Sequence, residues 1–390
     1  MASGIPPGDA IAAILRHDSK VTSYKLALVR ALTDVALAFP DVDRDGRPVA
    51  VPLRLLADQW IAYYWPFVDP AAPIAQGQRA TLGGELRQDL AFRPALTALR
   101  AAWEAATGGS GNPADGFAAV AELRLPRRRA LYPETALAAH AAAVAAIVAA
   151  LRMPIRYAGP GEWAIFPRPC RYRDLGNAAG PLPGTTPGDV CVVVAADLWR
   201  AFRGMALWID ALCIHEWALF TERASARDTQ PIDRGAAYRL LTAQPASRRP
   251  LTWERNQIRV LLLEGATFTC PWTARPLAGD APYALDHLLP VALRPLNDLW
   301  NLVPSDPRFN TDVKRDRLPS AARLTEALPH LAATYRLYTG SIVLGRALRE
   351  DVGLRFAHPP EDVVEYPVAV ARSAVAFIEE FATARNLVRF

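Results

Sequence analysis

Two stretches of the sequence carry the prediction of fold and chemistry. They are D-H-L-L-P at residues 286–290 and N-L-V-P-S-D-P-R-F-N-T-D-V-K-R-D-R-L-P at residues 301–319. The first asparagine follows the histidine by fourteen residues, the second comes nine residues later, and a lysine follows four residues after that. The five polar residues fixed by this spacing are Asp286, His287, Asn301, Asn310 and Lys314.

The segments around these polar residues have the composition of two short strands and a helix. Apolar residues surround the Asp-His pair, and Pro290 ends the first strand because it has no N–H for a continuing ladder. Leu302 and Val303 predict the second strand, and residues Asn310–Arg317 predict a helix. Neighbouring side chains on a strand point to opposite faces. The Asp-His pair therefore serves one site only if the hairpin is irregular there.

This arrangement resembles the HNH nuclease motif, the ββα-metal module of homing endonucleases, colicin nucleases, restriction enzymes and CRISPR effector nucleases. The resemblance covers about residues 255–320. It implies that Asp286 and Asn310 bind a divalent metal ion and that His287 is the general base. It also implies that Asn301 ties the loop between the strands (291–300) to the hairpin through backbone hydrogen bonds, for which an amide has both donors and acceptors.

The chemistry implied by the resemblance is hydrolysis of a phosphodiester. A neutral imidazole deprotonates water, while a hard cation neutralises the phosphoryl oxygens and stabilises the leaving oxygen. Carboxylate and amide oxygens suit Mg²⁺ better than Zn²⁺, and Mn²⁺ can substitute. Lys314 lies one helical turn after Asn310, so both face the same way, and we predict that the lysine contacts a phosphate oxygen.

The spacing leaves alternatives for both asparagines. Asn297 is an alternative to Asn301, and either Asp306 or Asp312 is an alternative to Asn310.

The cysteines depart from the HNH pattern. Many HNH domains carry two C-x-x-C pairs that bind a structural zinc ion. Here Cys270 stands alone, with Thr273 where a second cysteine would fall, and no C-x-x-C lies near Asn310. A tetrahedral zinc site needs four ligands. We therefore expect no structural zinc, and we predict that Cys270 is a small buried residue.

Composition predicts a soluble protein of a reducing compartment. The chain has 390 residues, of which 51% are hydrophobic and 21% charged, as is usual for globular proteins of two or three domains. Its four scattered cysteines give no disulfide framework. The first residues lack a signal-peptide pattern, and the alanine-rich run Pro133–Leu151 is short for a membrane span. We expect a cytoplasmic protein without a membrane segment.

The excess of positively charged residues lies in the regions flanking the motif. The net charge is +5 and the pI about 9.1, which is compatible with a polyanionic partner. Segment 251–330 has nine Lys and Arg against nine Asp and Glu, so the positive excess lies elsewhere. A dense basic cluster in the N-terminal half is predicted to contact DNA phosphates, with a solvated helix face as the alternative. Its members are Arg124, Arg127, Arg128 and Arg129.

The expected architecture is mainly α with a small α+β (ββα-metal) nuclease module. We predict a helical N-terminal region over 1–152 and a mixed region, rich in Pro and Gly and in part helical, over 153–250. The module occupies 251–330, and C-terminal helices over 331–390 brace it. Within the mixed region, Val190–Arg223 is predicted to be helical.

The expected function is that of a Mg²⁺-dependent DNA endonuclease, acting as a restriction or phage-defence effector. A defence-system protein or a second copy of the chain is an expected further partner. The alternative is a non-cleaving nucleic-acid-binding or scaffold subunit of a defence complex that keeps the HNH fold. A homing endonuclease would need DNA-reading modules that the sequence does not reveal.

Overall fold

The chain forms two compact units, unit 1 (Met1–Ala246) and unit 2 (Ser247–Phe390). Both are mainly helical with small sheets, as the sequence predicts. The predicted segment 1–152 and most of 153–250 belong to unit 1, and the other two segments belong to unit 2. The predicted boundary at residue 250 lies outside the described residues. The structure, a computed structural model, describes residues 5–40, 42, 45–77, 81–82, 85–86, 89–109, 111–226, 228, 230–243, 251–291, 293, 297–356 and 365–390.

Unit 1 is built mostly from helices. A π-helical turn (Ala13–His17) follows the first helix, and a 3-10 turn (Trp65–Val68) follows the third. The helices in its described residues are α1 (Pro7–Ala12), α2 (Tyr24–Ala38), α3 (Leu53–Tyr64), α4 (Arg93–Thr107), α5 (Asp115–Leu123), α6 (Pro126–Arg129), α7 (Glu134–Arg156), α8 (Ala196–Gly204), α9 (Ala206–Ser225) and α10 (Arg234–Leu241).

The aromatic residues of α3 and of the 3-10 turn after it lie in the unit 1 core. Trp60, Tyr64 and Trp65 are fully buried. Trp217 of α9 packs on Tyr64 with ring centroids 5.1 Å apart, and the Tyr64 hydroxyl is hydrogen-bonded to Ser23 Oγ at 2.9 Å. A buried tyrosine keeps its hydroxyl paired in this way because an unpaired polar group costs free energy.

In the described residues of unit 1, the strands form a four-stranded sheet and a two-stranded antiparallel pair. The sheet order is β4-β6-β1-β5, with β1 antiparallel to β6 and parallel to β5. The strands are β1 (Val49–Pro52), β2 (Thr81–Leu82), β3 (Glu85–Leu86), β4 (Cys170–Arg171), β5 (Gly180–Pro181) and β6 (Val190–Val194).

The prediction of a helix over Val190–Arg223 is wrong at its start. The sequence V-C-V-V-V forms β6, the strand between β4 and β1, and only the residues after it are helical. Valines favour the pleated, half-buried surface of a sheet because they are branched at Cβ.

Helix α7 is long and apolar enough to cross a membrane by length and composition alone, with a mean hydropathy of 1.8 over its most apolar window. It packs against α3 and α4, and much of its exposed face consists of alanines. Core helices of soluble proteins have the same composition. The helix is thus compatible with the soluble protein that the sequence predicts, and the cytoplasmic location stays a prediction.

Unit 2 contains the polar motif. Its described residues include a 3-10 turn (Leu299–Asn301) and a π-helical turn (Phe309–Lys314). The helices and strands are α11 (Thr252–Leu263), β7 (Thr267–Thr269), β8 (Pro276–Ala278), β9 (Ala284–His287), β10 (Leu302–Ser305), α12 (Ala321–Gly340), α13 (Ile342–Arg355) and α14 (Tyr366–Arg385).

The helix predicted over Asn310–Arg317 is shorter than expected and π-helical. The Arg315 N–H donates to the Asn310 carbonyl oxygen at 2.9 Å, which closes an i→i+5 turn. Arg315 then adopts a φ of 50°, a conformation that ends the helix.

The helices after the motif brace its strands, as the sequence predicts. Tyr338 of α12 donates from its hydroxyl to the Leu302 carbonyl oxygen at 2.9 Å. Asp351 of α13 accepts the Leu299 N–H at 2.7 Å. Strands and helices also share one hydrophobic core. These contacts fix the start of β10 against α12 and α13.

Residues Val388–Phe390 add a further brace. The Leu318 N–H donates to the Val388 carbonyl oxygen at 3.2 Å, and the Phe390 N–H donates to the Leu318 carbonyl oxygen at 2.8 Å. The Phe390 ring meets Trp272 edge-on at 5.7 Å and Phe309 at 5.8 Å between centroids. This ring therefore joins the turn between β7 and β8 to the π-helical turn.

Replacing Phe390 tests this brace. We expect Phe390→Ala to lower the free energy of unfolding of unit 2 by about 1–3 kcal/mol, because two aromatic contacts and their buried area are lost. Urea unfolding of the full chain, followed by tryptophan fluorescence, measures the change. Val388→Ala is the matched control, since Val388 is 72% exposed and its truncation should change stability by less than about 0.5 kcal/mol. Equal effects of the two variants would contradict the brace.

Candidate functional site

The hairpin of β9 and β10 positions the Asp-His pair. The strands are antiparallel, with Asp286 opposite Val303 and His287 opposite Leu302. Asp286 is 3% exposed, while His287 is half-buried. Because successive residues of a strand face opposite ways, one site for the carboxylate and the imidazole requires an irregular backbone at His287, which is the last residue of β9.

Both oxygens of the Asp286 carboxylate are engaged by nitrogen donors. Lys314 Nζ donates to Oδ1 at 2.8 Å, and Trp272 Nε1 donates to Oδ2 at 2.9 Å. Trp272 is not among the site residues that the sequence predicts. An indole N–H in the turn two residues after Cys270 is a donor that a buried carboxylate needs, yet spacing alone does not connect residues fourteen positions apart.

Lys314 is turned inward instead of toward solvent. Its side chain lies at the end of the π-helical turn and is 1% exposed. Besides Asp286, its ammonium also binds the main-chain carbonyl oxygen of His287 at 2.8 Å. The physical reason is that a buried carboxylate needs a counter-charge. The phosphate contact predicted for Lys314 stays a prediction, and it requires the ammonium to leave Asp286.

Burial shifts the pKa of both members of the pair. It raises the pKa of the Asp286 carboxyl, an effect that the Lys314 ammonium and the Trp272 indole oppose. It lowers the pKa of His287 below the usual histidine range, against the opposing influence of Asn297 and Asp286. A histidine with a lowered pKa is neutral at neutral pH, which a general base requires.

Asn297 contacts the imidazole directly. His287 Nε2 lies 2.8 Å from Asn297 Oδ1. When Nε2 carries the proton and donates it to this oxygen, Nδ1 is the unprotonated nitrogen that accepts a proton. In this structure Asn297 thus contacts the histidine and does not take the place of Asn301.

Asn301 forms hydrogen bonds with the main chain just after β9, and its role in tying loop 291–300 to the hairpin stays a prediction. It is fully buried. The Leu289 N–H donates to Asn301 Oδ1 at 2.7 Å, and Asn301 Nδ2 donates to the Leu289 carbonyl oxygen at 3.1 Å. The Leu288 N–H donates to the Asn301 carbonyl oxygen at 2.8 Å. The chain is thereby held together where it leaves β9. Residues 292 and 294–296 of the loop lie outside the described residues.

The candidates for the second metal ligand have different surroundings. Asn310 is half-buried and lies on the same π-helical turn as Lys314. Asp306 Oδ1 accepts the Arg308 N–H at 2.9 Å, and Oδ2 pairs with Arg275 at 3.2 Å, so this carboxylate is occupied. Asp312 is exposed. Among the residues that the structure describes, no group of three or more His, Cys, Asp and Glu could hold a metal ion.

Cys270 is fully buried, as predicted. Its Sγ accepts the Asp306 N–H at 3.2 Å, and its carbonyl oxygen accepts the Ala274 N–H at 3.0 Å. The cysteine therefore links the turn between β7 and β8 to the start of the π-helical turn.

The arginine cluster predicted to bind DNA is not a uniform surface patch. Arg128 is 7% exposed and its guanidinium donates to Glu122 at 3.3 Å, so it is turned into the protein and not toward a DNA backbone. Arg129 is exposed and donates to the Leu123 carbonyl oxygen at 2.7 Å. Arg124 and Arg127 are half-buried. DNA contacts of Arg124, Arg127 and Arg129 stay a prediction.

Two titratable residues lie within the electrostatic reach of these arginines. Burial raises the pKa of Asp58 to about 6, and Arg124 is the strongest of the charges that oppose the rise. Burial, with a smaller contribution from Arg129, lowers the pKa of His140 to about 4. Their Oδ1 and Nε2 atoms are 4.0 Å apart. Each group favours its uncharged form because it is buried.

The chain belongs to the family described as a domain of unknown function, DUF8808. The family profile matches residues 4–241, more than half of the chain and nearly all of unit 1. The Asp-His pair and its partners in unit 2 lie outside this match. No curated protein and no solved structure matches the chain.

Paired substitutions separate the structural asparagine from the predicted ligand. We expect Asn301→Ala to lower the free energy of unfolding of unit 2 by about 2–4 kcal/mol, because it leaves the Leu289 N–H and carbonyl buried without these partners. Asn310→Ala, at a half-buried position, should cost less than about 1 kcal/mol. Chemical denaturation of both variants measures the difference. A small loss for Asn301→Ala would refute its structural role.

Proposed function

We propose that this chain is a metal-dependent endonuclease of the HNH type that hydrolyses DNA phosphodiester bonds. One observation carries the proposal: a buried Asp286 and a half-buried neutral His287 stand on a hairpin whose loop is closed by Asn301. A short helical turn with Asn310 and Lys314 follows the second strand. The order of hairpin and helical turn along the chain supports the proposal.

The residues present fit a hard divalent cation. Asp286 Oδ1 and the His287 carbonyl oxygen both lie 2.8 Å from one ammonium nitrogen, so oxygen donors already converge on a positive charge. Carboxylate and carbonyl oxygens are the ligand types that Mg²⁺ and Mn²⁺ prefer. Asp286 and Asn310 would hold the ion. When bound, it would neutralise phosphoryl oxygens and stabilise the leaving 3′ oxygen.

The mechanism assigns the proton transfer to His287. Its Nδ1 takes a proton from water, the water oxygen bonds to phosphorus, and the bond from phosphorus to the 3′ oxygen breaks. Asn297 fixes the imidazole through Nε2 and so decides which nitrogen accepts the proton. Asn301 keeps the end of β9 in place, and the leaving oxygen is protonated by solvent.

The biological role that we favour is restriction or phage defence in the cytoplasm. DNA would be bound mainly through phosphates, with Arg124, Arg127 and Arg129 as candidate contacts. A defence-system protein or a second copy of the chain would complete the assembly.

A second candidate function is a non-cleaving nucleic-acid-binding or scaffold subunit. The observation that favours it is the Lys314 ammonium on Asp286, since a carboxylate neutralised by lysine has less need of a metal ion. A nicking assay on supercoiled plasmid, with Mg²⁺ and with EDTA, separates the two candidates.

The nicking assay also tests the general base. We expect His287→Ala to lower the Mg²⁺-dependent cleavage rate by about 10²–10⁴-fold, the usual contribution of a positioned base. Because the imidazole is only half-buried, the variant should fold, and its circular dichroism and thermal unfolding should stay close to those of the wild type. Wild-type cleavage by His287→Ala would refute the assignment. An inert wild-type protein would favour the second candidate.

Asn297 is a positioning residue in this mechanism. We expect Asn297→Ala to lower kcat by about 10- to 100-fold, with little change in KM, because the imidazole loses its orientation. Asn297→Asp should retain most activity, since a carboxylate also accepts the Nε2 proton. Its pH profile should move to higher pH, because the added negative charge raises the pKa of His287. Unchanged kcat in Asn297→Ala would remove this role.

A further inference from the structure

Two oxygen atoms of β9 converge on one cation. Asp286 Oδ1 and the His287 carbonyl oxygen each accept a hydrogen bond of 2.8 Å from Lys314 Nζ. Lys314 and Asp286 are 1% and 3% exposed, so this point is shielded from water. The chain has thus built an oxygen-lined cation site and filled it with its own ammonium group.

A lysine ammonium and a divalent metal ion cannot share this point. Both are hard cations that bind carboxylate and carbonyl oxygens. At a separation of a few ångströms their charges repel strongly, especially where water is excluded. The buried carboxylate, however, needs one counter-charge at all times, because an unpaired buried charge is costly. Either cation meets that need, but only one at a time.

We propose that Asp286 Oδ1 and the carbonyl oxygen of His287 form a divalent-cation site that Lys314 occupies, so that a metal ion binds only by displacing the lysine. The proposal deepens the proposed function and rests on it for the choice of Mg²⁺ and Mn²⁺. It adds the His287 carbonyl oxygen to the predicted ligands. In this proposal Lys314 competes with the metal ion for the two oxygens, instead of forming a permanent ion pair with Asp286.

The position of Lys314 provides a route for this exchange. Lys314 is the last residue of a single π-helical turn, a type of helix that is rarely longer than one turn. The residue after it has a positive φ and is exposed. In the proposed exchange the ammonium leaves the two oxygens by rotation of its own flexible four-carbon stem.

The exchange reduces metal affinity in the wild-type protein. When only a minor fraction of the protein molecules is in the state that can bind a ligand, the apparent affinity for that ligand is lowered by the same fraction. If the open state holds a tenth of the molecules or less, removing the lysine charge should tighten Mn²⁺ binding by about tenfold or more.

The test measures Mn²⁺ binding to the full chain by electron paramagnetic resonance, without DNA. The chains compared are the wild type, Lys314→Met and Lys314→Gln. We expect weak binding by the wild type and at least about tenfold tighter binding by both variants. Lys314→Gln retains hydrogen-bond donors for the two oxygens, and so it guards against a folding defect of Lys314→Met. Arg308→Met, which removes an exposed charge from the same segment, should bind Mn²⁺ as the wild type does.

Thermal unfolding gives an independent readout. In EDTA, Lys314→Met should unfold at a lower temperature than the wild type, because Asp286 is left buried without a counter-charge. Mn²⁺ should restore much of this loss while having little effect on the wild type. The double variant Lys314→Met with Asp286→Asn should lose the Mn²⁺ effect.

Two outcomes would overturn the proposal. One is that neither Lys314 variant gains Mn²⁺ affinity or Mn²⁺-dependent stability. The other is that the gain persists in the double variant. Neither measurement depends on cleavage, so an inactive protein with a lysine-controlled Mn²⁺ site would refute the proposed function and leave this inference standing. An active nuclease whose Lys314 variants bind Mn²⁺ like the wild type would support the proposed function and refute this inference.

Discussion

The neutralisation of the Asp286 carboxylate is the constraint on which the candidate site depends. This side chain is almost completely buried in a strand of only four residues. A charge in such a place persists only if donors replace the water that it has lost. The two donors come from a turn before the strand and from a helical turn after the hairpin. The carboxylate thereby holds together three segments that are distant in sequence.

The aromatic contacts around Trp272 extend this dependence to the end of the described chain. The same indole that donates to Asp286 packs on Phe390, and Phe390 packs on Phe309 at the start of the π-helical turn that carries Lys314. The two donors of the carboxylate are thus joined through a third ring. In this part of unit 2, a buried cysteine, an ion pair and an aromatic cluster hold these segments together.

The sequence predicts the elements of the site better than their orientation. Both strands of the hairpin and the bracing helices follow from apolar runs bounded by proline and polar residues, which are local signals. The inward direction of Lys314 does not follow from them. That direction depends on the buried Asp286 carboxylate, which lies 28 residues earlier in the chain. Trp272 is likewise recognised only when distant segments meet, and the sequence indicates Asn297 only as an alternative to Asn301 and not as a partner of His287.

Other differences arise because a local pattern has two solutions. The valines of β6 fit either a buried strand or an apolar helix, and their pairing with β1 decides for the strand. The arginine run at 127–129 fits a solvated face, but one of its members is drawn inward by Glu122. A run of arginines in the sequence shows how many positive charges a segment carries, whereas the tertiary fold determines how many of those side chains are exposed to solvent. That is why the DNA contacts predicted for unit 1 follow less directly from the sequence than the candidate site in unit 2.

The family match and the candidate chemistry belong to different units, and this separation bears on how function is divided. The DUF8808 profile covers residues 4–241, whereas the Asp-His hairpin has its own hydrophobic core in unit 2. A unit with its own core keeps its site geometry independently of the sequence of another unit. The chemistry proposed for unit 2 therefore does not describe the family. The family's role must instead be sought among features of unit 1, where burial raises the pKa of Asp58 to about 6 and lowers that of His140 to about 4 beside a set of arginines. At neutral pH the imidazole is therefore uncharged, while the Asp58 carboxylate is mostly ionised and offsets part of the positive charge of those arginines.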